Sequence, residues 1–202
     1  AQLNALETVD LQALNATQIK SLTTAQVEGL SSGQVQALTG YQVASLTVDQ
    51  VKALTSDQLN AMESSDLRAL GSAQIAALST TQISTLSTGQ LSLLTAAQMG
   101  AMTASQLQAI AASDVSSLTT AQAAALNAQA LTTDQLNAMD SEDLRALTPG
   151  QIKTLTTAQI TGLTSTSLQA LTERQLSALT NTQIKVLSSD QLNTLDSSSL
   201  RA

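Results

Sequence analysis

An eight-residue period runs through this chain and limits what it can fold into more than any other feature. Cut before each recurring Leu, the sequence falls into octads such as LTTAQVEG from Leu22, LSSGQVQA from Leu30 and LTSDQLNA from Leu54. Fifteen full octads lie between Leu6 and Ala125 and nine between Leu131 and Ala202, leaving residues 1–5 and the five-residue unit Leu126–Ala130 outside the register. The consensus is Leu, Ser/Thr, any, any, Gln, Ile/Leu/Val, any, small. A unit this short has no core of its own, so neighbouring units must share one.

Each consensus position has a meaning at a helix start. Ser or Thr followed three residues later by Gln is a capping box: the hydroxyl accepts from the N3 backbone N–H, and the Gln carbonyl accepts from the cap's own N–H. Position two is Ser, Thr, Asp or Asn in 20 of 24 octads, and position five is Gln in 18, Asp in four and Ser in two. Positions one and six then become the two apolar sites of a hydrophobic staple. The Gln reads first as a cap partner; a ladder of amides from rung to rung is the second reading. On the cap alone, Gln74→Ala and Gln82→Ala are each expected to lower stability by about 1 kcal/mol, measured as a shift of the unfolding curve.

Charge placement tests the register independently, since a helix favours acids in its first turn and bases toward its end. Of 15 acidic residues, 14 occupy positions two to five, and of eight basic residues, seven occupy position seven. The single proline, Pro149, falls at position three, the first helical residue, where its missing N–H costs nothing.

A new cap every eight residues restricts each helix to roughly a turn and a half, which is unstable alone because nucleation is unfavourable. The expected fold is therefore all-α: an α-solenoid of very short helices, one per octad, stable only collectively. A β-solenoid is the competitor, but positions one and six are separated by an odd number of residues and would face opposite sides of a strand.

Residues 1–69 align without gaps to 134–202, with 39 of 69 positions identical. The offset of 133 is sixteen octads plus the short unit, so the five-residue break at 126–130 belongs to a higher-order repeat. Residues 1–202 read as one continuous solenoid, with a kink or step expected between about 110 and 131, where Ala111 replaces a cap and Ala123 an apolar residue. The chain opens mid-octad and closes flush with one, which suggests a segment of something longer or a subunit whose ends are covered by its own copies.

Composition removes several chemistries. There is no His, Cys, Phe or Trp, so no imidazole base, no thiolate and no usual zinc, haem or iron–sulfur ligand set is present. No cofactor is expected, and Ser and Thr lack an activating base, which argues against an enzyme. A net charge of −7 and a lone aromatic, Tyr41 at an exposed position four, argue against nucleic acid. No apolar run approaches the roughly 18 residues that span a bilayer, and nothing resembles a signal peptide. Met62, Met99, Met102 and Met139 sit at apolar consensus sites and read as core.

One octad type stands apart: LETVDLQA from Leu6, MESSDLRA from Met62, MDSEDLRA from Met139 and LDSSSLRA from Leu195, spaced by 56, 77 and 56 residues. Their residues Glu63, Asp66, Arg68, Asp140, Asp143 and Arg145 are the candidate site residues. The plainest reading is a local ion pair with helix-end electrostatics. Two others stand beside it: Arg–carboxylate pairing between subunits, and a carboxylate-lined calcium site, which lacks the usual alternation of acids with Gly.

Runs such as LTTAQVEGL and LTTAQITGL resemble the LTTAQ-type octapeptide repeats of large, repetitive bacterial surface and secreted proteins, often described as adhesin-like. The resemblance covers nearly the whole chain. It implies a bacterial protein at the cell surface or outside the cell, with a structural part as stalk, filament or sheath, and self-association as the expected partnership. It carries over no site residues. The alternative is a binding module offering a solenoid surface to a peptide, glycan or partner protein. Against that alternative, positions three, four and seven are mostly Ser, Thr, Ala and Asn, with no row of anchors.

Overall fold

A computed structural model describes residues 6–195. Among the described residues there are 23 α-helices of four to six residues, a 3-10 turn at Ala128–Ala130, and no strand. The all-α solenoid expected from the octads is the architecture observed. The helices start where the capping register places them. Thr47 is the N-cap of Val48–Ala53: its Oγ1 accepts from the Gln50 N–H at 3.2 Å while Gln50 Oε1 accepts from the Thr47 N–H at 2.7 Å. The same pair of bonds opens every Gln-bearing octad except the one from Leu70. There Gly71 has no side chain, and only the bond from its N–H to Gln74 remains. At the other end position one turns extended, as at Leu54 (φ −62°, ψ 133°), and its N–H closes onto the position-six carbonyl of Val51 at 3.2 Å. The next residue, Thr55, is also extended and is the following N-cap.

Burial follows the octad. Position six is fully enclosed at Val35, Val43, Val51, Leu59, Leu67, Ile75 and Ile83, and position one is nearly so from Leu30 to Leu86. The four Met residues are buried with them. The helices' contacts divide the chain into two compact units, residues 1–109 and 110–202.

In the first unit each helix packs on the one three octads along: Thr24–Glu28 on Val48–Ala53, Gly40–Ser45 on Ser64–Ala69, and Ser72–Ala77 on Ala96–Ala101. The fourth octad along is reached by the Gln side chain. Gln42 Nε2 donates to the carbonyls of Leu11 (2.9 Å), Gln12 (3.1 Å) and Leu14 (2.8 Å), which lie 31, 30 and 28 residues earlier. Gln58 repeats this on Val27, Glu28 and Leu30, Gln98 on Leu67 and Leu70, and Gln106 on Ile75 and Leu78. One turn of the coil therefore takes between three and four octads. The amide is cap partner and ladder rung at once, one end for each, which corrects the preference for a cap alone. A helix this short leaves its last carbonyls short of partners; the ladder supplies a donor to the one at position one and a second donor to the one at position six, which already accepts from the position-one N–H.

The second unit contains the short unit and absorbs it. Thr120–Ala125 packs on Ser141–Ala146, and Ala112–Val115 on Thr133–Ala138, three rungs apart when Leu126–Ala130 counts as one. Gln151 accordingly donates to Ala123 (3.3 Å) and Leu126 (2.7 Å), 28 and 25 residues back, each three fewer than elsewhere. Ala128, fully buried in the 3-10 turn, stands where position six would be, and Gln159 donates to its carbonyl at 3.1 Å. The uncapped octad at Ala111 has a helix of only four residues, Ala112–Val115.

At Gly162 the small residue of position eight has another rung against it. A Cβ on Gly162 would collide with the Thr133 side chain.

The two ends of the Gln amide can be separated by mutation. Ser79→Ala removes the cap acceptor of Gln82 and should cost about 1 kcal/mol. Gln82→Glu leaves an oxygen for the Ser79 N–H but turns an acceptor toward the carbonyls of Val51 and Leu54, with an expected cost of about 1–3 kcal/mol at neutral pH for the stranded groups. Denaturant melts of both variants give the comparison; a Gln82→Glu loss no greater than that of Ser79→Ala would remove the ladder from the account of stability.

Candidate functional site

The charged octads are the one departure from the consensus with a chemistry of its own, and the solenoid divides their side chains between inside and outside. Glu63, Arg68, Asp140 and Arg145 are exposed, whereas Asp66 and Asp143 are buried at 5% and 2% exposure. The two Asp residues occupy position five, and a side chain there points at the preceding turn. This corrects their reading as possible contacts between subunits, since neither reaches the surface. The octad's fourth copy, at residues 196–202, lies outside the described residues, and in the first copy Asp10 is exposed.

The pairing within the octad is not an Arg–Asp ion pair. Arg145 Nε donates instead to the Ala170 carbonyl at 3.1 Å, 25 residues along. Gln12 does the same to Ala37 (2.8 Å) and Asn137 to Gly162 (2.9 Å), so position seven forms a second, sparser ladder running toward the next turn. Asp140 accepts from the Asp143 N–H at 2.8 Å as an N-cap, while Glu63 makes no such bond. Lys52 and Asp49, 3.9 Å apart and both exposed, form an ion pair of the kind that contributes little.

Burial sets the electrostatics of the two inward carboxyls. Loss of hydration pushes Asp143 up to about 6, and the nearby charges of Asp140 and Glu142 add to the effect. Asp66 is raised by burial first and Glu63 second, against a hydrogen bond from Ser65 that lowers it. Asp143 Oδ2 is buried without a hydrogen-bond partner.

Ser167 shows how another octad manages without Gln. Asn137, four rungs back, places its Oδ1 3.0 Å from the Thr164 N–H and 2.9 Å from Ser167 Oγ, taking over the part of the missing Gln carbonyl. This substitute was not legible in the octad that needs it, because the rescuing residue sits 27 positions earlier.

Nothing among the described residues converges as a catalytic or metal site does. No group of three or more acidic side chains there is arranged to hold a metal ion, and no helix is long and apolar enough to cross a membrane. An open groove is lined by Pro149, Gly150, Lys153 and residues 177–181, with no acid or base opposite the lysine. Tyr41 is exposed, as its octad position predicts.

The repeat itself is recognisable. The family model described as the ALTTAQ repeat matches residues 3–40, 59–96 and 136–173, more than half of the chain. This chain belongs to the ALTTAQ repeat family. Each matched ALTTAQ segment opens on Leu-Asn-Ala and runs directly into a charged octad, at Leu6, Met62 and Met139. The odd octad thus recurs at the same place in all three matched segments of this chain. No curated protein matches the ALTTAQ chain.

The Asn137 substitute gives a test of the site's hydrogen-bond logic. Asn137→Ala removes the acceptor shared by the exposed Thr164 N–H and the buried Ser167 Oγ and should cost about 0.5–1.5 kcal/mol. Adding Ser167→Gln to that variant should recover most of the loss by restoring the consensus cap; a double-mutant cycle with no coupling would contradict it.

Proposed function

We propose that this chain is a structural, non-catalytic element of an extracellular bacterial protein, a length of stalk, filament or sheath that associates with copies of itself. The observation that carries this reading is the Gln ladder. From Gln42 to Gln191, Gln-bearing rungs bind the turn before them through the Gln Nε2 and offer their own end carbonyls to the turn after, so the array extends by repetition. The composition supports an oxidising, exposed setting, with no Cys and with every Met buried. The resemblance to repetitive surface and secreted proteins supports the location.

Self-association uses the exposed side chains that the solenoid leaves free. Arg68 has no partner among the described residues and Glu63 stands exposed on the same octad, so opposite charges on adjoining copies have something to meet. Binding of another molecule is the second reading, and the groove beside Lys153 is the feature that favours it.

Electron microscopy and light scattering of the purified chain over a concentration series test the proposal. The expected result is elongated assemblies whose population rises with concentration, falls with added salt, and falls again in Arg68→Glu. A chain that stays monomeric at the highest concentration and captures a peptide or glycan instead would replace this proposal with the binding module.

A further inference from the structure

Position five is where the ladder donor belongs, and the charged octads put a carboxyl there. In the register set by Gln135, which donates to Ile110, and Gln151, which donates to Ala123 and Leu126, Asp143 holds the place of the donor to Val115 and Leu118. A carboxylate has no hydrogen to give. One of its oxygens is enclosed with no partner, and the Asn137 device that serves Ser167 has no counterpart here. The packed neighbours bring no relief: Thr120–Ala125 before it and Ser165–Ala170 after it carry no ionisable side chain, and the rung of Val115 carries only another acid, Asp114. On its own octad Asp140 and Glu142 are acids, and Arg145 is engaged with Ala170.

We propose that the charged octad is a proton-operated joint of the solenoid: a rung held loosely to its neighbour while the Asp143 carboxyl is ionised and tightened when that buried group takes up a proton. The proton removes a buried charge and supplies the O–H that the position otherwise lacks. Asp66, buried at the same position of the octad from Met62, is a second copy of the joint.

The direction of the effect follows from linkage. The folded chain holds this proton more tightly than the unfolded one, so protonation favours folding. The gain is complete below the ordinary carboxylate range near 4 and is lost as pH rises through about 6. Neutral pH loosens the joint and mild acid closes it.

Two measurements on the whole chain decide the matter. Carbon-detected NMR titration of the Asp143 carboxyl should give a midpoint well above 4, and thermal melts from pH 7.5 to 4.5 should compare the native chain with Asp143→Gln, which restores the consensus amide. The expected result is a Tm about 2–4 °C higher for Asp143→Gln at pH 7.5, with the gap closing as the native chain is acidified. A carboxyl that titrates at or below 4, or a variant no more stable at pH 7.5, would overturn the proposal. Stabilisation of the native chain by calcium chloride at pH 7.5, abolished in Asp143→Gln, would also overturn it by making the group a cation ligand.

Discussion

A backbone carbonyl at the end of a very short helix is the constraint this solenoid is built around. In a helix of six residues most carbonyls lie within the last turn and lack intrahelical partners, so a chain made of such helices carries an orphan problem at every rung. The position-five Gln answers it with one amide group. Its oxygen accepts from the N-cap N–H of its own helix, and its nitrogen donates to position six and position one of the turn before, as Gln50 does at 2.8 Å to both Ile19 and Leu22. Buried at 2% exposure, Gln50 has no water to fall back on. A buried amide with both ends paired is tolerated, and one with either end stranded is costly. Cap and stacking are thereby coupled: a rung keeps its buried amide satisfied only when both its own helix start and its neighbour's helix end are in place.

That coupling accounts for what the repeat tolerates. Three residues can be dropped at Leu126–Ala130 because the ladder reads rungs and not residue numbers: Gln151 shifts its partners by three and finds a position-six carbonyl at Ala123 all the same. Ala128 can stand at an apolar site because a 3-10 turn brings the backbone close enough for a methyl group to fill the space. Ser167 can replace Gln because the neighbouring turn offers Asn137. In each case the hydrogen-bond account is closed by a different route, and the aliphatic core is left as it was.

The sequence carried the local half of this and hid the rest for a physical reason. A capping box joins residues three apart, so Thr47 and Gln50 announce each other in the sequence, and the charges and Pro149 confirm their register. The ladder joins residues 28 to 31 apart. Gln50 receives no distinctive partner there, because what it meets is backbone carbonyl, which every residue has. The number of octads in a turn was illegible for the same reason. The charged octad was noticed as unusual, but which of its carboxyls face inward depends on that turn; until the coil is known, Asp143 at position five and Asp140 at position two are equally plausible surface groups. Arg145, which the sequence offers as a partner for acids, serves a carbonyl instead.

The distribution of departures from the consensus also bears on function. In a binding solenoid, variation gathers on one exposed position, because a partner selects the side chains it touches. Here the variation with structural consequences is directed inward at Asp66, Asp143 and Ser167, where it alters the hydrogen bonds between one turn and the next. An inward substitution leaves the outer face much as it was while changing the hydrogen bonds of the rung beneath. This distribution favours the structural reading proposed above over the binding module.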